Sequence, residues 1–219
     1  MGPAVIERVV YIHRVFTDHL HEGLYYKQYT KEEATSHICR LAGDIESWLL
    51  KYRHDIPTEE KNFIRNSQRK VVDPFPVFYA TLKIHKTPWE TRPIVSCSGS
   101  LLHALGTWVD RKLQGIATSQ PSYLQSSLAF KTLVQPLVLP LNAKLFTSDA
   151  TSFYTNIPTT AALHEIASFI HQRELFFQGI STDALSEALG IVIKKQRFHL
   201  WRYVLAPKKL ELLWELRLQ

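Results

Sequence analysis

The strongest constraint on the fold is a change of hydrophobic pattern at Asp73. Before it, residues from about 4 to about 53 carry apolar side chains at helical spacing, and TKEE, beginning at Thr30, resembles the capping box that starts a second helix. After it, DPFPVFY has two prolines and then alternating and aromatic residues, which is typical of a loop that enters a strand. The sequence therefore predicts an α+β chain with a helical N-terminal arm.

The later part alternates between strand and helix patterns. Residues 77–95 predict a hairpin with a turn near Pro88, and the segment from Ala143 to Asp149 predicts a buried strand that ends in an acid. Three further helices are expected; one covers about 101–113, one is capped by Thr159 or Thr160, and one is capped by Ser181 or Thr182.

Composition allows a packed core and argues against several protein classes. Hydrophobic residues make up 45% of the 219 residues, which is an ordinary fraction for a globular protein. Cys39 and Cys97 lie far apart, so neither a disulfide framework nor zinc spacing is indicated, and a reducing intracellular compartment is expected. The N-terminus lacks a signal-peptide pattern, and no apolar run reaches membrane-spanning length, so we expect no membrane partner.

The net charge of +6 is unevenly distributed. Residues 1–193 hold 19 Lys and Arg against 18 Asp and Glu, a net of +1, whereas residues 194–219 hold 7 against 2, a net of +5. The basic excess therefore comes almost wholly from the last segment, and the overall charge alone is a weak indication of nucleic-acid binding.

Three cations lie on the predicted hairpin. Lys83, Lys86 and Arg92 on a rigid hairpin suit a triphosphate or a nucleic-acid backbone, because Arg can grip phosphate oxygens in a fork. The alternative is an edge hairpin whose solvated lysines discourage strand-to-strand aggregation.

A second candidate segment is LFTSDATSFYTNIPTT. Asp149 at the end of a buried strand is a natural ligand for Mg²⁺, and an aromatic ring a few residues later, Phe153 or Tyr154, could pack against a sugar. Alternatively, Asp149 begins a turn and Tyr154 fills core.

Three strings together resemble the reverse transcriptases of Penelope-like retroelements. They are FYATLKIHKTPWETRPIVSCSG, SYLQSSLAFKTLV and DATSFYTNIPTTAAL, and their order and spacing agree with that family over about Val77 to Ile193. The resemblance implies a right-hand polymerase fold, of which this chain would hold the fingers and an incomplete palm. It also implies RNA-directed DNA synthesis from deoxynucleoside triphosphates on an RNA template with a DNA primer, and a nuclear location if the protein is functional.

The resemblance assigns roles to matching positions. Asp149 would be the first catalytic aspartate and a ligand to both Mg²⁺ ions, while Tyr154 would lie under the incoming sugar and crowd a 2′-oxygen. Arg92, together with Lys83 or Lys86, would contact the triphosphate from the fingers. A later aspartate pair is also required, but no Asp-Asp sequence occurs in the chain, so we expect the chain alone not to polymerise.

The last 26 residues suggest a shifted reading frame. Shifted by one base, the codons for Lys195 to Lys209 can encode NNVFTFGDTFWLQK, and shifted by two bases, those for Lys209 to Gln219 can encode TGTAMGTPLA, which resemble the family's next segments. We therefore expect a poorly ordered or loosely docked tail. The alternative is an in-frame basic amphipathic helix with leucines on one face.

The sequence thus predicts a helical arm over 1–72, fingers and partial palm over 73–193, and an out-of-frame tail over 194–219. Three other interpretations stay open: a nucleic-acid-binding remnant without chemistry, a pseudogene product with exposed apolar surface, and a helical interaction module built on residues 4–53.

Overall fold

The computed structural model describes residues 5–20, 26–144, 146–148, 157–173, 181–194, 198–200 and 203–207. Within these ranges the chain is α+β, with helices and strands in both halves. The helices are α1 (Arg8–His19), α2 (Lys31–Lys51), α3 (Thr58–Arg69), α4 (His103–Thr118), α5 (Ser127–Val134), α6 (Thr159–Gln172) and α7 (Thr182–Lys194). The strands are β1 (Tyr26–Tyr29), β2 (Val77–Lys83), β3 (Glu90–Ser96), β4 (Phe198–Leu200) and β5 (Tyr203–Pro207).

The start of α2 confirms the predicted capping box. The Thr30 side chain accepts a hydrogen bond from the Glu33 amide at 3.2 Å, and the Glu33 carboxylate accepts one from the Thr30 amide at 2.9 Å. Two backbone donors that the first helical turn leaves without partners are thereby satisfied. The apolar side chains at helical spacing are buried here, as Leu41, Ile45 and Trp48 show.

The main hydrophobic core lies among five helices. Trp48 of α2 is 1% exposed, and its indole N–H donates to the Ala184 carbonyl of α7 at 2.9 Å. Its ring meets the Trp108 ring of α4 edge-on at 5.1 Å, and Trp108 in turn donates to the carboxylate of Glu60 in α3. The helices α2 and α3 therefore share one core with α4, α6 and α7. The predicted domain boundary at residue 72 stays a prediction.

The five strands form one sheet in the order β1-β5-β4-β2-β3. The pair β2–β3 is the antiparallel hairpin predicted over 77–95, with Val77 opposite Ser96 and Lys83 opposite Glu90. The other strands are antiparallel to one another, and β4 joins β2 in parallel through the single pair Val77 and His199. The hairpin is thus largely a two-stranded unit that needs support from elsewhere, because isolated hairpins are marginally stable.

Helix α1 supplies that support. Val15 and Leu20 form a second, smaller core with Phe78, Ala80 and Val95 of the hairpin, and Tyr11 and Phe16 pack against it. The N-terminal arm is therefore divided: α1 packs on the hairpin, whereas α2 belongs to the main core.

Several predicted boundaries are wrong. The buried strand predicted from Ala143 to Asp149 is absent over the described residues of that range, and Phe146 is 88% exposed. A buried strand needs neighbours to pair with, and none of the described strands pairs with this segment. Helix α6 begins at Thr159 itself, with Pro158 as its N-cap and no capping side chain. At α7 the expected cap is present, since the Ser181 hydroxyl accepts from the Ala184 amide at 3.3 Å.

The tail contributes β4 and β5 to the sheet. Residues 204–207 pair with 26–29, and 198–200 pair with 203–205. Regular pairing of these residues differs from the loose docking expected of the tail, while the leucines of the alternative amphipathic helix lie outside the described residues. The reading-frame hypothesis stays a prediction.

Helix α5 stands apart from both cores, since none of its residues is buried. Its chain neighbours on the C-terminal side include Leu137, Val138, Leu139 and Leu141, all largely exposed.

None of the helices in the described ranges combines enough length with enough apolar character to cross a membrane.

Candidate functional site

Helix α1 covers one face of the β2–β3 hairpin, and the opposite face is largely exposed or half-buried, with Ile94 as its buried residue. Successive strand side chains point to opposite faces, so the register places Phe78, Ala80, Thr91 and Val95 together. All four are buried on the side where α1 packs. Tyr79, Thr81 and Arg92 lie on the opposite face and are exposed there. Two of the cations predicted to bind phosphate, Lys83 and Arg92, therefore lie on the face opposite α1, while Lys86 lies in the turn.

The backbone in the middle of β2 is hydrogen-bonded to a side chain of α1. Ala80 lies opposite Pro93, which has no N–H to donate to a partner strand. The N–H of Ala80 donates to the Tyr11 hydroxyl at 2.9 Å, and that hydroxyl donates to the Ala80 carbonyl at 2.9 Å. The N–H and the C=O of Ala80 therefore both point away from β3. Ala80 and Pro93 thus form one of the non-hydrogen-bonded pairs of the antiparallel ladder.

A polar cluster joins the end of α1 to β3. The Thr91 hydroxyl donates its proton to Asp18 at 2.8 Å. Its oxygen can then only accept from His19 Nε2, which lies 2.7 Å away. This assigns the proton of the neutral His19 ring to Nε2. Arg14 pairs with Asp18 at 3.0 Å, donates to the Trp89 carbonyl at 3.2 Å and lies over the Trp89 ring. Burial lowers the pKa of His19 below 6.5, although the charge of Asp18 acts in the opposite direction.

The two lysines at the hairpin turn share one carboxylate. Lys86 Nζ lies 3.0 Å and Lys83 Nζ 3.8 Å from the same oxygen of Glu90. The hydrogen bond from Lys86 lowers the pKa of Glu90, so the carboxylate is charged at neutral pH. Residues 77–96 hold three cations, Lys83, Lys86 and Arg92, against one carboxylate, a net of +2. The turn is therefore positive, but Glu90 competes with any phosphate for the lysines.

The predicted site residues have different outcomes. Lys83, Lys86 and Arg92 come together on the hairpin and its turn, with Lys83 and Arg92 on the same face. Asp149 and Tyr154 lie outside the described residues, and their predicted roles stay predictions. In the part of the chain that the structure describes, no cluster of three His, Cys, Asp or Glu side chains could hold a metal ion.

Three residues of this site were missed from the sequence. Tyr11 and Asp18 bond the hairpin from α1, and Glu90 faces the lysines. A signal was present for the first two, because Tyr11, Arg14 and Asp18 follow helical spacing and lie on one face of α1. What that face would contact was not visible in the sequence.

Comparison with protein-family models finds no match to the chain, and neither curated proteins nor solved structures provide one. The resemblance to reverse transcriptases therefore depends on the three sequence strings alone.

Proposed function

We propose that the chain is the fingers and partial palm of an RNA-directed DNA polymerase similar to the reverse transcriptases of Penelope-like retroelements. In this proposal the hairpin binds the triphosphate of an incoming deoxynucleotide, and an RNA template with a DNA primer lies alongside. The observation that carries it is the β2–β3 register, which puts Arg92 and Lys83 on the same face, opposite the face that α1 covers. These are the positions that the FYATLKIHKTPWETRPIV string assigns to phosphate contacts.

The chemistry of the hairpin suits a phosphate ligand. Arg92 projects from β3 opposite Thr81, where its planar guanidinium can make two parallel bonds to phosphate oxygens. Lys83 and Lys86 supply point charges near the turn, once they exchange Glu90 for the ligand. The α1 helix holds the hairpin from behind, so the cations are positioned by the fold before the ligand arrives.

Polymerisation itself would need Mg²⁺, which activates the primer hydroxyl and stabilises the leaving pyrophosphate. Asp149 is the proposed ligand. Because the chain has no Asp-Asp sequence to complete the ligand set, we propose that it binds its substrates but does not extend a primer on its own.

A binding measurement tests the hairpin assignment. A labelled template–primer duplex and a deoxynucleoside triphosphate are titrated with the full chain, with fluorescence anisotropy as the readout. Arg92→Ala should weaken triphosphate binding by about tenfold or more, as expected for a charge-assisted bond. Arg69→Ala removes an exposed cation at the end of α3 and serves as the control. Equal affinities of the two variants would exclude Arg92 from the site.

A primer-extension assay tests the incomplete palm. The purified chain with Mg²⁺, template–primer and all four deoxynucleoside triphosphates should yield no product. Any extension that is lost in Asp149→Asn would show that the chain completes a metal site by itself.

A second candidate is a nucleic-acid-binding remnant without chemistry, which the cationic hairpin also supports. It predicts salt-sensitive RNA binding that is unchanged in Asp149→Asn and shows no dependence on deoxynucleoside triphosphate.

The exposed apolar residues around 137–141 support a third account, in which the chain is a decayed product. This account predicts that the purified chain aggregates.

A further inference from the structure

The backbone of Ala80 is satisfied in an unusual way for a strand residue. Its N–H and C=O both face away from β3, where the next strand of a sheet would normally receive them. The neighbouring strand β4 reaches β2 only at Val77. One side-chain hydroxyl, that of Tyr11, therefore takes the place of a peptide group in a neighbouring strand, donating one bond and accepting the other.

We propose that Tyr11 is a positioning residue for the cationic face of the hairpin. The inference rests on the proposed function, since it concerns how the triphosphate-binding cations are held. Tyr11 does not touch the ligand. Its hydroxyl fixes the peptide groups of Ala80, and Ala80 in turn fixes the strand that carries the cations.

The register shows how the effect reaches the cations. Ala80 precedes Thr81, which is directly opposite Arg92, and Lys83 follows three residues after Ala80. The pairs on either side of Ala80 and Pro93 are hydrogen-bonded, so a shift of the Ala80 backbone is passed to β3 through them.

The packing around Tyr11 offers a way to separate position from stability. The Tyr11 ring packs against the small core of α1 and the hairpin, and Tyr11→Phe keeps that ring while removing only the hydroxyl. Val15 is 2% exposed in the same core but makes no bond to Ala80, so Val15→Ala loosens the contact by leaving a cavity. The two variants perturb one interface by different means.

The test measures triphosphate affinity, thermal unfolding and amide exchange in the full chain. Tyr11→Phe should weaken binding of a deoxynucleoside triphosphate by about two- to tenfold, the loss expected from one or two hydrogen bonds, and should speed exchange of the Ala80 amide. Tyr123→Phe, at an exposed tyrosine away from the hairpin, should change neither. Val15→Ala should lower the unfolding temperature at least as much as Tyr11→Phe but leave affinity near that of the unmodified chain at temperatures where every variant is folded.

The outcomes are distinct. Affinity that falls in Tyr11→Phe and not in Val15→Ala supports the positioning role. Losses that follow the unfolding temperature in both variants, or an unchanged Ala80 exchange rate in Tyr11→Phe, would overturn it. If the unmodified chain binds no triphosphate, the proposed function fails and the inference with it, whereas normal binding by both the unmodified chain and Tyr11→Phe refutes the inference alone.

Discussion

Replacing Glu90 by Gln should strengthen phosphate binding at the hairpin. In the free protein Glu90 holds Lys86 at 3.0 Å and Lys83 at 3.8 Å, so a phosphate ligand must displace these contacts. The glutamine variant keeps the side-chain size and removes the negative charge. Neither lysine is then held by an opposite charge, and the net charge of residues 77–96 rises from +2 to +3.

The expected gain is modest because the group is open to solvent. The side chains of Glu90 and Lys86 are 44% and 48% exposed, and water screens ion pairs of this kind strongly. We therefore expect a gain in triphosphate affinity of about two- to fivefold at low salt, shrinking as the salt concentration rises.

Isothermal titration of Glu90→Gln against the unmodified chain, repeated at several salt concentrations, measures this gain. Glu59→Gln is the matched control, because it makes the same change of net charge at an exposed position in the first turn of α3. If Glu59→Gln gains as much as Glu90→Gln, the effect is one of overall charge. If Glu90→Gln weakens binding, the carboxylate supports the site and the competition argument is wrong.

Two further predictions concern stability. Trp48→Phe removes the hydrogen bond to the Ala184 carbonyl and leaves space in the main core. We therefore expect the free energy of unfolding, measured by urea denaturation, to fall by about 2 kcal/mol. A loss below about 0.5 kcal/mol would show that the hydrogen bond and the ring volume contribute little. Because burial lowers the pKa of His19, the unfolded chain takes up that proton first, and stability should fall as pH drops from about 6.5 to the folded pKa and then level off. Subtracting the profile of His19→Gln from that of the unmodified chain isolates this contribution, and superimposable profiles would contradict it.

Local signals in the sequence predicted local structure well. The capping box at Thr30 and the prolines before Val77 act within a few residues, so the start of α2 and the position of the hairpin could be inferred from the sequence. The placement of Lys83 and Arg92 on the hairpin follows from the same local pattern, while their role in binding phosphate stays a prediction.

Structure that depends on distant partners was not predicted. The strand β1 is stabilised by β5, which lies far along the chain, and nothing within Tyr26–Tyr29 indicates that pairing. The bond between Tyr11 and Ala80 joins residues 69 positions apart. The prediction of a strand from Ala143 to Asp149 was wrong for a related reason. Its apolar residues indicate burial, but they do not supply the neighbouring strands that burial requires.

Pro93 also affects how the molecule meets its own copies. Strand β3 is at one end of the strand order, and the ring of Pro93 faces outward in place of a hydrogen-bond donor. A strand from another molecule that tried to extend the sheet there would lose a backbone bond at the centre of the pairing. Growth of fibrils by strand addition is therefore disfavoured at the β3 edge, on the strand that carries Arg92.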